Sequence, residues 1–212
     1  MIPPMANKAT KHKGWSKRIE RNILSVLSQA TDQERDIGMF WYRDANSACQ
    51  IIAERQEVPL PHVIGVVAAL SPGNEWGRNL LDAERLIDGW KIDNVPMVGS
   101  YGMGNITKAI RILNGEIPMD VLGGNKTKSF YQNILDPEYI GVVTIDRHAK
   151  GLAIESRSNR GATADKDAIV TPGEYPWYAM HYVRLAERLG LIPNQLQAIT
   201  WGVWKRLAES KG

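Results

Sequence analysis

Apolar residues recur at three- and four-residue spacing through most of the chain, and strict alternation is almost absent, so the pattern predicts helices. From Trp15 onward, Ile19, Ile23, Val26 and Leu27 mark the inner face of one helix. After Thr31-Asp32 a second helix is predicted, with Ile37, Phe40, Trp41, Ala45, Ala48 and Ile52 facing inward and Glu34, Arg35, Arg43 and Glu54 turned to solvent. Pro59 and Pro61 break the chain ahead of a nearly unbroken apolar run from Val63 to Leu70. Its β-branched residues suit a strand, but Pro61 at a first helical position and helical neighbours on both sides favour a buried helix. Trp76, Leu80, Leu81, Ala83, Leu86 and Ile87 repeat the helical spacing, as do Ile106, Ala109, Ile110 and Leu113 behind the Gly-rich turn Ser100 to Gly104. Only Ile140 to Ile145 reads as a strand, too short and isolated to found a sheet. Two more helices are expected, one through Trp177, Met180, Val183 and Ala186, the other from Pro193 through Leu196, Ile199, Val203 and Leu207. Residues 155–174 read as a long polar loop, and the fold class expected is all-α, with about eight to ten short helices.

Composition narrows the function classes. A chain of 212 residues at 43% hydrophobic and 23% charged is long enough for one buried core or two small lobes. A net charge of +3 permits a polyanionic partner, and its excess is concentrated early: Lys8, Lys11, Lys13, Lys17, Arg18 and Arg21 face one acid, Glu20. Residues 1–14 are read as a basic arm, suited either to phosphate or simply to solvent. The N-terminus lacks an apolar export signal and no stretch is apolar enough to span a bilayer, so the expectation is no membrane partner and a cytoplasmic, nucleoid-associated location. A single cysteine, Cys49, and four histidines disfavour zinc and iron–sulfur chemistry, and neither a metal nor another cofactor is expected.

The most specific stretch is Asp120 to Lys150. Leu122 ends one helix, Gly123-Gly124 permits a tight turn with positive φ, and Asn125-Lys126-Thr127-Lys128 opens the next helix with its free N–H groups outward. Unpaired N–H groups, the helix dipole and two lysines favour a phosphate oxygen there. An apolar run then delivers Ile145-Asp146-Arg147-His148. On its position alone Asp146 reads first as a helix N-cap worth about 1 kcal/mol, and only its combination with the hairpin makes it a candidate catalytic acid.

In this stretch the chain resembles the helix-hairpin-helix DNA glycosylase superfamily, the endonuclease III-like group. The family's hairpin runs roughly L-P-G-x-G-x-K-[TS], and a V-D-T-H-like string follows about 18 residues after the lysine, as Asp146 follows Lys128 here. Leu122, Gly124, Lys128 and Ser129 fall on the hairpin positions, and Ile145, Asp146 and His148 on the later string. Upstream, Val66 to Ser71 with Gly73 to Leu81, and then Lys108, Ala109, Ile112 and Leu113, are similar to the elements that precede the family's hairpin. The likeness covers residues 61 to 150. Gly123 stands where the family has proline, Lys126 replaces the second hairpin glycine, Arg147 replaces the threonine, and the iron–sulfur motif is absent.

The resemblance implies a two-lobed helical protein that grips DNA backbone, bends the duplex and extrudes one nucleotide. It implies a lobe of residues 61–149, with the hairpin near 120–131, and a second lobe from 15–60 and 150–212. Gly123, Gly124, Asn125, Lys126, Thr127 and Ser129 would meet the DNA backbone. Asp146 would act at the sugar C1′, and Lys128 would be the amine of a lyase step, with Lys126 second. Asn74, Glu75, Trp76 and His148 are the base-pocket candidates. Among the remaining aromatic residues, Trp41-Tyr42, Trp177-Tyr178 and the pair Trp201 and Trp204 offer stacking faces or core packing. Two other functions stay open: a transferase that attaches an amino acid or polyamine to a modified pyrimidine in phage DNA, and a non-catalytic DNA-binding module.

Overall fold

The computed structural model describes residues 9–100, 102–156 and 166–209. Ten α-helices follow in order among them: α1 (Ala9–Leu27), α2 (Asp32–Gln56), α3 (Leu60–Leu70), α4 (Trp76–Lys91), α5 (Met103–Leu113), α6 (Pro118–Val121), α7 (Asn125–Leu135), α8 (Arg147–Ile154), α9 (Tyr175–Leu189) and α10 (Pro193–Glu209). The described residues contain no strand. Residues 9–14 of the basic arm already belong to α1, whereas Lys8 lies outside the described residues, as do 157–165 of the polar loop. The described remainder of that loop includes a 3-10 turn at Lys166–Ala168.

The chain divides into two compact units, Met1–Met39 with Ile145–Gly212, and Phe40–Thr144, so α2 contributes to both. In the second unit α3 is the central element. Every residue from Val63 to Leu70 is buried, and α4, α5 and α7 pack around it. Gly65 lets α5 and α6 come close, because a Cβ there would sit 3.1 Å from Ile112 Cγ2 and Pro118 Cβ. In the first unit α1 packs against α8, α9 and α10, with Ile19, Ile23, Tyr182, Leu185, Leu196 and Ile199 in the core.

Four expectations are corrected. On α2 the inward face is Tyr42, Ala45, Cys49, Ile52 and Ala53, while Ile37 and Phe40 are exposed. Glu34 and Arg35, expected in solvent, are half-buried: Glu34 closes a capping box with Thr31 and pairs with Arg206, and Arg35 donates to the Leu27 carbonyl. On α4, Leu81 is exposed and the polar Asn79 and Asp82 are buried instead. Finally, residues 142–146 form no strand, and side chains take up backbone groups there. With its amide turned to satisfy both ends, buried Asn133 of α7 donates to the Val142 carbonyl at 3.1 Å and accepts from Thr144 N, also at 3.1 Å. The Tyr175 hydroxyl accepts from Ile145 N at 3.0 Å.

Candidate catalytic carboxylate and nucleic-acid interface

Asp146 is the N-cap of α8, with extended backbone at φ −104° and ψ −176°. Its Oδ1 accepts from His148 N at 2.9 Å and from Ala149 N at 2.8 Å, which satisfies two of the N–H groups that a helix start leaves unpaired. Both bonds fall on Oδ1, so the carboxylate plane is fixed while Oδ2 takes no part in the cap. The residue is half-buried.

Residues far away in sequence hold this turn. Tyr175 fixes Ile145 just before it, and buried Tyr182 donates its hydroxyl to the Ala149 carbonyl at 3.2 Å. One turn beyond Asp146, Lys150 is only 5% exposed; its Nζ donates to the Ile169 carbonyl at 2.7 Å and to Glu174 Oε2 at 3.0 Å, and lies 5.6 Å from the Tyr178 ring centre. Burial pushes the Glu174 carboxyl up, but hydrogen bonds from Thr171 and Lys150 outweigh it and hold the group below the usual value. Burial, and then the Glu174 charge, push the Tyr178 hydroxyl up to about 12. Lys150 therefore pins the segment 169–174 onto α8. His148 is half-buried, with its ring edge-on to Trp201 at 6.1 Å, and Lys205 lies 4.5 Å over the same indole.

The Gly-Gly turn belongs to the other unit. Leu122 ends α6 in extended conformation, and Gly124 is the α7 N-cap at φ 75° and ψ 149°, a backbone that a side chain would strain. No side chain caps α7, so its first N–H groups are left to solvent or a ligand. Gly123, Asn125 and Lys126 are exposed, Thr127 and Lys128 half-buried, and Ser129 buried. A Cβ on Gly123 would come within 3.4 Å of Lys108 Nζ, so a third lysine stands at the turn.

The base-pocket candidates take different places. Asn74 Nδ2 donates to Asp82 Oδ2 at 2.9 Å, and its Oδ1 accepts from Glu75 N. Glu75 caps α4 through Arg78 N at 3.1 Å. Trp76 packs with Trp41 and Phe130 at centroid separations of 5.2 and 6.4 Å. Asp82, which the hydrophobic pattern does not reveal, also accepts from Gly99 N at 3.2 Å and so ties the loops on either side of α4 together. Asn74, Glu75 and Trp76 are thus gathered in one unit, while Asp146 and His148 belong to the other.

Among the described residues no group of His, Cys, Asp and Glu side chains could hold a metal ion, and no helix is long and apolar enough to cross a membrane. Burial pushes the Cys49 thiol up to about 12, far from a reactive thiolate. The chain belongs to a family of unknown function, DUF7178, whose model matches residues 5–208. No curated protein and no solved structure matches it.

Proposed function

We propose that this member of a family of unknown function is a DNA N-glycosylase, which extrudes a nucleotide from the duplex and cuts the bond between its base and the sugar C1′. Base pairs bury that bond inside the stack, so extrusion comes first. The C1′–N bond then breaks, a C1′–O bond to water forms, the base leaves with the electron pair and takes up a proton, and the water gives one up. Positive charge builds at C1′ on the way. A carboxylate whose orientation is already fixed stabilises that charge without reorganising.

The observation that carries the reading is the Asp146 carboxylate: anchored through Oδ1, half-exposed, and leaving Oδ2 outside the cap. The Gly124 turn supports the DNA half of the proposal. Its positive φ, the uncapped α7 start and Lys108, Lys126 and Lys128 are what a backbone phosphate requires. In this reading Gly123, Gly124, Asn125 and Thr127 offer close backbone approach and Lys128 is the amine for a lyase step, while Ser129, expected at the DNA backbone, is buried.

The experiment is borohydride trapping on an abasic-site duplex, with wild type and Lys128→Ala side by side. A covalent complex lost in Lys128→Ala identifies that amine at C1′. Abasic sites formed from a modified duplex without trapping mean a glycosylase that works through Asp146 alone. The cap bonds themselves favour a second reading, a DNA-binding module in which Asp146 only starts a helix. That reading requires binding that weakens steeply with salt and no product from any duplex.

A further inference from the structure

We infer that the unit formed by Phe40–Thr144 carries a stacking platform for unpaired nucleobases, built by Trp41, Trp76 and Phe130. The three rings come from α2, α4 and α7 and are all half-buried. Trp41 is the hub, with its centroid 5.2 Å from Trp76 and 6.1 Å from Phe130, at interplanar angles of 53° and 41°. Phe130 meets Trp76 edge-on at 6.4 Å and Tyr42 meets Trp41 edge-on at 4.7 Å, and because the three rings are only half-buried, part of their surface is left for a guest. The unit's buried core, by contrast, is mainly aliphatic, built on Ile64, Val67, Leu86 and Ile112. The chain has only two phenylalanines, and neither is buried: Phe40 is 46% exposed and Phe130 half-buried.

Charge identifies the guest. Four arginines of this unit, Arg43, Arg55, Arg78 and Arg111, are paired with Glu138, Glu84, Asp82 and Glu116. Lys108, Lys126 and Lys128 have no such partner among the described residues, which is also true of Arg85 and Lys91, but these three lysines stand at the Gly123 turn and the first turn of α7. Phe130 follows Lys126 by four residues, so ring and ammonium lie on one side of α7, about 6 Å apart along its axis. Phosphate-seeking cations one helical turn from open aromatic faces match a nucleotide strand, its backbone on the lysines and its bases on the rings. Because every base has a π-face, the platform is tolerant of sequence.

The inference rests on the proposed function only for the polymer bound and needs no catalysis by Asp146. The test compares affinity for a single-stranded oligothymidylate of about twelve nucleotides with that for an all-abasic strand of equal length, which has the same phosphates and no bases. Wild type is expected to bind the thymidylate at least about fivefold more tightly, and Phe130→Leu and Trp76→Leu each to cut that preference without weakening the abasic strand. Trp76→Phe is expected to restore most of it. Equal affinity of wild type for the two strands overturns the inference, with no variant needed, and so does an unchanged preference in a leucine variant that melts like wild type. If the preference holds while no duplex ever loses a base, the platform stands and the glycosylase reading falls.

Discussion

Asp146 Oδ1 accepts a hydrogen bond from the Ala149 backbone N–H at 2.8 Å, so the carboxylate proposed for chemistry is also the one that starts α8. The two roles separate by substitution. Asparagine keeps the capping oxygen and loses the charge, whereas alanine loses both. Asp146→Ala is expected to cost about 1 kcal/mol, a melting shift of about 2–4 °C, and Asp146→Asn only a few tenths of a kcal/mol. Thermal unfolding of the two variants checks this. An equal and large loss in both would mean that the charge itself holds the fold.

Gly38 lies against α10 with no room for a side chain. A Cβ there would come within 2.6 Å of Ile199 Cα and N, backbone atoms that cannot swing away. Gly38→Ala is therefore expected to destabilise by about 3 kcal/mol, despite alanine's better helix propensity. Urea unfolding measures the loss, and a neutral or stabilising result would contradict the close crossing of α2 and α10.

Buried Asp82 is the expected weak point of the loops around α4. Asp82→Ala leaves the Gly99 N–H and the Asn74 amide without their acceptor and is expected to cost about 2–3 kcal/mol, Asp82→Asn less. Amide exchange at Gly99 should quicken in the alanine variant; unchanged protection would argue against this tie.

Acid is expected to loosen the first unit in two stages. Burial keeps the His181 imidazole below its usual pKa of 6.5, despite Glu20 at 3.4 Å, and its Nε2 is buried without a partner. The unfolded chain takes up that proton more readily, so the stability His181 contributes is complete above pH 6.5 and declines as pH falls below it. The second stage involves Glu20 and Glu34. Burial raises the Glu20 carboxyl, but hydrogen bonds from Arg188 and His181 outweigh it, and the Arg206 hydrogen bond brings Glu34 down to about 2. Their contribution is present above pH 4.5 and fades below it. His181→Leu is expected to flatten the melting temperature between pH 6.5 and 5 while leaving the lower stage; a slope unchanged by the substitution would contradict the assignment.

The helices were legible because core packing demands a 3.6-residue apolar period, and that demand is written locally. Which face turns inward was less so. On α2 the buried stripe runs through Ala45, Cys49 and Ala53, small residues that suit close packing, while bulkier Ile37 and Phe40 face solvent. The false strand at Ile140–Ile145 has the same kind of cause. Its apolar pattern is real, but its backbone partners are the side chains of Asn133 and Tyr175, which no local pattern shows. At the candidate site, the Gly124 turn and the Asp146 cap could be read from adjacent residues. Tyr175, Tyr182 and the Lys150–Glu174 pair could not, since tertiary folding alone brings them to α8.

Whether Asp146 breaks a glycosidic bond is tested most directly by release of free base. Duplexes carrying damaged or hypermodified bases are incubated with wild type and Asp146→Asn, free base is quantified by mass spectrometry, and duplex affinity is measured on the same samples. Wild type is expected to release base from at least one duplex, and Asp146→Asn to release none while binding that duplex with nearly the same affinity. Base release that survives in Asp146→Asn, or a wild type that binds every duplex and releases nothing, would contradict a catalytic Asp146.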